Sequence, residues 1–265
     1  MKLNLIRPRT GLTWVRQGMR LFLRQPLAMS GLFFMFMAVL SLASLVPLIG
    51  PVLALVLLPA ATLGLMAASR EAEQGRFPMP FIMASAFRAG AQQARAMLLL
   101  GVLYALGFAV VIGLSSLIDG GEFARLYLFG GKIDEKVVSD PQFQAATWAA
   151  ALLYAPLSLV FWHAPALVHW HRIDPVKSLF FSAMACWKNL GAFIVYALGW
   201  FGCFLLAGVV VALLASLFDS PTMAATVMLP VALIMAAMFF SSVYATFRDS
   251  FTADERAAPQ VDEVA

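Results

Sequence analysis

Charge is what this sequence has least of. Only 12% of its 265 residues are Asp, Glu, Lys or Arg, against about 25% in a soluble domain. The deficit is concentrated. No charged residue occurs from Leu27 to Ser69, nor in the stretches at about 97–118, 144–168, 192–218 and 222–246. Proton pumps, ion-coupled carriers and voltage sensors need ionisable side chains at membrane depth. The sequence argues against all three, because His163 is the one titratable candidate with any depth.

Cysteine is almost missing. Cys186 and Cys203 form no CxxC, and both lie in or beside apolar runs, as small buried hydrophobes do. Acidic residues do not occur before Glu71. That leaves a basic N-terminus without the pattern of a cleaved secretory signal, although an organellar transit peptide has a similar composition. HExxH, GxSxG and the P-loop are all lacking. His169 and Asp174 match the HxxxxD spacing of glycerolipid acyltransferases, but Asp174-Pro175 reads better as a helix cap followed by proline at the first helical position. Asp119–Arg125 matches the start of a CDP-alcohol phosphotransferase motif and then departs from its spacing. His163, His169 and His171, with Asp174 and Cys186 nearby, offer metal-ligating atoms. Their helical positions diverge, so anchoring at the headgroup level is the expected role. No catalytic, metal or cofactor residue is assigned, and the chain is expected not to be an enzyme.

What the sequence has in excess is apolar surface: 62% hydrophobic residues and a mean hydropathy of +0.86. A bilayer core about 30 Å thick takes about 20 helical residues. The apolar runs therefore predict an all-α polytopic membrane protein with six spans, at about 27–46, 51–69, 97–118, 144–168, 192–218 and 222–246. The Pro47–Pro51 turn divides the first two, and a re-entrant hairpin over 27–69 is the alternative. Pro156 and Pro165 predict kinks in the fourth span. The stretch Asp119–Gln142 reads as a polar loop. Fifteen Lys/Arg fall in segments on one side and three (Arg125, Lys132, Lys136) on the other. The positive-inside rule then puts both termini in the cytoplasm. Residues 1–247 are expected to form a single transmembrane domain, with 248–265 a disordered cytoplasmic tail.

A threefold repeat is also predicted, over about 8–69, 78–168 and 174–246. Each unit opens on an amphipathic interfacial helix, apolar side toward lipid, followed by a transmembrane hairpin. In the first, Arg16, Arg20 and Arg24 share one face against Trp14, Val15, Leu21 and Phe22. In the second, Ser85, Arg88, Gln92 and Arg95 oppose Ile82, Met83, Phe87 and Ala94. In the third, Asp174, Ser178, Ser182 and Asn189 oppose Val176, Phe180, Phe181, Met184 and Trp187. The basic members, Arg16, Arg20, Arg24, Arg88 and Arg95, are expected to contact anionic lipid. Small residues at Gly101, Ala105, Ala109 and Gly113, and at Ala60, Gly64 and Ala68, predict helix seams, with Phe108 and Val111 turned away.

The string Phe161-Trp-His-Ala-Pro-Ala-Leu-Val-His-Trp170, then Asp174-Pro-Val-Lys-Ser-Leu-Phe-Phe-Ser182 and Trp187-Lys-Asn189, resembles an uncharacterised family of bacterial inner-membrane proteins. It is also distantly similar to the membrane region beside some glycerophosphodiester phosphodiesterases. The resemblance is clearest over about 160–200. It implies a bacterial inner membrane and brings no catalytic residue. The expected role is a non-enzymatic scaffold or partner subunit in envelope or lipid organisation. The alternative is a transporter or lipid translocator whose path is lined by Tyr104, Tyr154, Tyr196 and serines. The expected partners are the lipid bilayer and a membrane protein or a second copy of the chain, with no nucleic acid.

Overall fold

A computed structural model describes residues 2–131, 135–218 and 221–252. Lys132, Asp219, Ser220 and the expected tail from residue 253 onward lie outside the described residues. Among the described residues, six helices are long and apolar enough to cross a membrane. They are α2 (Pro26–Ser44), α3 (Gly50–Glu73), α5 (Ala91–Asp119), the consecutive pair α8 (Pro141–Phe161) and α9 (Ala164–His171), α11 (Leu190–Leu217) and α12 (Pro221–Ser250). Around them lie α1 (Thr10–Arg24), a 3-10 turn at Pro80–Ala84 with α4 (Ser85–Arg88), α6 (Glu122–Phe129), α7 (Glu135–Val138) and α10 (Pro175–Lys188). Leu106, Val110 and Leu117 on α5, and Leu198, Phe201, Leu205 and Leu213 on α11, are each more than half exposed. Such stripes suit lipid and not water.

The chain divides into two compact units: Met1–Ser30, Ala68–Pro78 and Ala185–Ala265 in the first, Gly31–Ala67 and Met79–Met184 in the second.

In the first unit, Gly11, Trp14, Val15, Gly18, Leu21 and Phe22 are buried on α1. Their spacing of three and four puts them on one helical face. That face meets α11 and α12 instead of lipid, which corrects the expected interfacial placement of α1. The two glycines explain it. A Cβ on Gly11 would lie 2.3 Å from the Ala192 carbonyl oxygen, and one on Gly18 would lie 2.4 Å from Ser242 Cβ. Bare backbone at both points admits the neighbouring helices. Trp14 is fully buried, stacks edge-on against Tyr196 and donates its indole N–H to Asp249 Oδ2 at 2.9 Å. Two residues, Lys2–Leu3 (β1), pair antiparallel with Phe251–Thr252 (β2). Asn189 locks the segment after β1: its Oδ1 accepts from the Ile6 amide at 2.8 Å, and its Nδ2 donates to the Asn4 carbonyl at 3.0 Å. Residues 248–252 are thus helix and strand, and the predicted tail begins too early.

In the second unit, Ala60, Leu63, Met97, Leu100, Tyr104, Phe161, Ala164 and Val168 form the core. Gly101 is the tightest crossing, because a Cβ there would lie 1.9 Å from the Val56 carbonyl oxygen. The predicted seam on α5 stops there. Ala109 and Gly113 are exposed, and nothing lies within 4 Å of a Cβ on Gly113. Phe108 and Val111 are buried, contrary to expectation. The second amphipathic segment is not one helix either. Gly90 at φ 107° ends it, and Gln92 and Arg95 belong to α5.

The fourth span breaks at Trp162–His163. In an unbroken helix the His163 amide would bond the Leu159 carbonyl four residues back. Here the Ser182 hydroxyl stands between them, accepting from His163 N at 2.9 Å and donating to Leu159 O at 3.0 Å. Insertion into the ladder is an established cause of kinks. Pro165 then sits in the first turn of α9, where its missing N–H costs nothing. His163 is fully buried, so it is a core residue and not a headgroup anchor.

Candidate functional site

Two neighbouring cavities in the second unit share Phe108, Tyr127 and Tyr154 as walls. One has a volume of about 500 Å³ and is bounded by α2, α3, α5, α6 and α8. The other is about 220 Å³, between α5, α6 and α8. Ligand cavities commonly span about 300–1,000 Å³, so the larger alone is of ligand size. Both lie toward the Asp119 end of α5, away from Arg88 and Arg95.

Helix α6 closes this region, and sequence reading missed it. Gly120 and Gly121, at φ 68° and 93°, turn the chain back after α5. Asp119 caps the start of α6 by accepting from the Gly121 and Phe123 amides at 2.9 and 2.7 Å. Phe123 and Tyr127, one helical turn apart, then reach Phe143 and Phe108 with ring centroids 6.0 and 5.6 Å apart. The legible signal was that four-residue aromatic spacing inside a stretch taken for loop.

The polar groups of the cavities are neutral. The Tyr104 and Tyr154 hydroxyls lie 3.1 Å apart and share one hydrogen bond. Tyr127 makes no hydrogen bond through its hydroxyl among the described residues. Burial, and then the neighbouring Tyr154, raise its phenol above the ordinary value. Thr147 and Ser44, the other hydroxyls, donate back to Phe143 and Ser41 carbonyls. Among the described residues, no Asp, Glu, His, Lys, Arg or Cys lines either cavity. Such a site can solvate an ester, amide or hydroxyl on an apolar ligand. It offers no group to shuttle protons near neutral pH.

The sequence-predicted residues are dispersed. Tyr196 lies in the first unit, bonded to Ser242 Oγ at 2.6 Å. Arg16, Arg20 and Arg24 are exposed on α1, and Arg88 and Arg95 are exposed beside α4 and in α5. The Arg88 guanidinium stands 5.0 Å from the Phe81 ring centroid. Asp174 Oδ1 accepts from the Val176 and Lys177 amides at 3.0 and 3.4 Å, at the start of α10. Ser178 and Ser182 are buried, whereas Val176 and Phe180 are about 60% exposed. Pro156 lies inside α8. No group of three or more His, Cys, Asp and Glu side chains placed to hold a metal occurs among the described residues.

Over 98% of its length the chain is 40% identical to a Burkholderia thailandensis protein named "Probable inner membrane protein", covering 98% of that protein as well. The chain belongs to this family of inner membrane proteins. It is a multi-pass member with six membrane-crossing helices. No family model and no solved structure matches it. Nothing in the comparisons links it to the glycerophosphodiester phosphodiesterases, so that part of the resemblance is withdrawn.

Proposed function

We propose that this inner-membrane protein is non-enzymatic and acts in lipid organisation, holding an uncharged lipid segment in the cavities around Tyr104, Tyr127 and Tyr154. One observation carries the reading: a ligand-sized space walled by Leu40, Leu55, Leu58 and Phe108, whose polar groups among the described residues are tyrosine and serine hydroxyls. The basic segments put both termini on the cytoplasmic side, so the cavities belong to the periplasmic half, while Arg16, Arg20, Arg24, Arg88 and Arg95 face anionic headgroups. A helical segment precedes each of α2, α5 and α11, an order that supports three related hairpins.

The test is extraction in native lipid followed by mass spectrometry of wild type and the cavity-filling variants Ala54→Phe and Ala150→Phe. A lipid species co-extracted with wild type and lost from variants of unchanged melting temperature is the expected result. Identical lipid profiles, or a stoichiometric protein partner instead, would overturn it.

The break between α8 and α9 favours a second reading, a lipid translocator, since transporters build paths around discontinuous spans. With no Asp, Glu, His, Lys or Arg among the described residues of the cavities, such movement would be uncoupled. Lipid flipping in reconstituted vesicles, lost in the same variants, distinguishes it.

A further inference from the structure

We infer that a separate cavity beside α1, in the first unit, binds a phosphate-bearing anion, either the headgroup of an anionic lipid or a free phosphate. It has a volume of about 180 Å³, many times the roughly 10–15 Å³ that one water requires. Its polar walls are Gln17, Arg20 and Arg24 of α1, Glu73 at the end of α3, and Ser241 and Tyr244 of α12.

The charge balance decides what it suits. Glu73 is the one acid among the described residues of the wall, and it pairs with Arg248, which also pairs with Asp249 outside the wall. Gln17 gives its carbonyl oxygen to Arg248 Nη2 at 3.3 Å, which leaves its amide hydrogens uncommitted. Ser241 donates to the Ala237 carbonyl at 2.8 Å, which leaves its oxygen lone pairs inward or to solvent. Arg20 and Arg24 make no hydrogen bond and no ion pair among the described residues. Two guanidiniums without counter-ions among the described residues, one turn apart, therefore line a cavity whose one carboxylate already has a cationic partner. Guanidinium is the side chain best matched to phosphate oxygens, through paired N–H donors. Helix α1 is also held in register: Gly18 sits against Ser242 and Trp14 is bonded to Asp249. The arginine pair is thus presented by a fixed element. Arg16 belongs to the same exposed stripe and does not line the cavity, which supplies an internal control.

The inference deepens the reading that the α1 arginines meet anionic headgroups and rests on it. It is independent of the tyrosine-lined cavities. Full-length protein in neutral detergent is titrated with dioleoyl phosphatidylglycerol, dioleoyl phosphatidylcholine and sodium phosphate. Native mass spectrometry and thermal unfolding report binding. Phosphatidylglycerol is expected to bind with one tight equivalent and raise the melting temperature. The double variant Arg20→Gln/Arg24→Gln should weaken that step at least about tenfold, the worth of one charge-assisted hydrogen bond, whereas Arg16→Gln keeps it. An effect of sodium phosphate that the same double variant abolishes would assign the site to free phosphate. If Arg16→Gln costs as much as the double variant, diffuse attraction survives and the site is overturned. If phosphatidylglycerol and phosphatidylcholine bind alike, both readings fail.

Discussion

The Ser182 hydroxyl stands in for a backbone hydrogen bond that a straight fourth span would have made, between His163 N and Leu159 O. Removing it takes one hydrogen-bond partner from each group, although the Leu159 carbonyl keeps the Trp162 amide at 3.4 Å. Ser182→Ala should cost about 1–3 kcal/mol, seen as a lower melting temperature in detergent. Ser182→Thr keeps the hydroxyl and should lose less. An alanine variant as stable as wild type would mean that the ladder simply recloses.

Trp14 contributes both ring packing and an N–H to Asp249. Trp14→Phe retains most of the packing and loses the bond. It should destabilise the protein by about 1–2 kcal/mol. Equal melting temperatures for wild type and Trp14→Phe would show that the bond contributes nothing.

Two glycines on α5 should behave oppositely. Gly101→Ala pushes a methyl group into the Val56 carbonyl and should destabilise by about 1–3 kcal/mol through overpacking. Gly113→Ala meets open space and should be neutral or stabilise by up to about 1 kcal/mol by restricting the unfolded chain. Comparable losses at both positions would contradict the packing described.

Burial pushes the Cys186 thiol up to about 12, from an ordinary value of 9.0. The folded value is the raised one. The stability from keeping this thiol neutral is therefore complete below pH 9 and declines as pH rises toward 12. In a Cys203→Ser background, Cys186 should resist maleimide at pH 8 until the protein is denatured. Rapid labelling of the folded protein would refute its burial.

Reporter fusions near residues 75 and 180 should behave as cytoplasmic, and a fusion near 130 as periplasmic. The reverse pattern would invert the orientation inferred from the arginine and lysine distribution.

The long spans were legible because about twenty uncharged residues have one physical home. Faces were harder to read, because a stripe on one helix does not say what covers it. On α10 the serine stripe turned inward, because Ser182 had a broken helix to repair. On α1 the apolar stripe met α11 and α12, and the clue lay in Gly11 and Gly18, residues too small to register as apolar surface. The small-residue line on α5 marked a true crossing at Gly101. It failed beyond, where Phe108 and Val111 turn inward, Phe108 as a wall of both cavities. The cavities themselves depended on α6, hidden in a segment polar enough to pass for loop.

The pairing of β1 with β2, and of α1 with α11 and α12, joins segments far apart in the chain, with Trp14 and Asp249 separated by 235 residues. At about 5–20 residues per second, α1 waits on the order of ten to fifty seconds before its partner helices exist. An apolar face bearing Trp14, Leu21 and Phe22 does not stay in water that long. The flat, lipid-bound posture that its sequence predicts is then expected of the nascent chain, with docking on α11 and α12 following their synthesis. Translation-arrested chains ending before residue 221 should leave Trp14 within reach of lipid-borne fluorescence quenchers, from which the finished protein shields it.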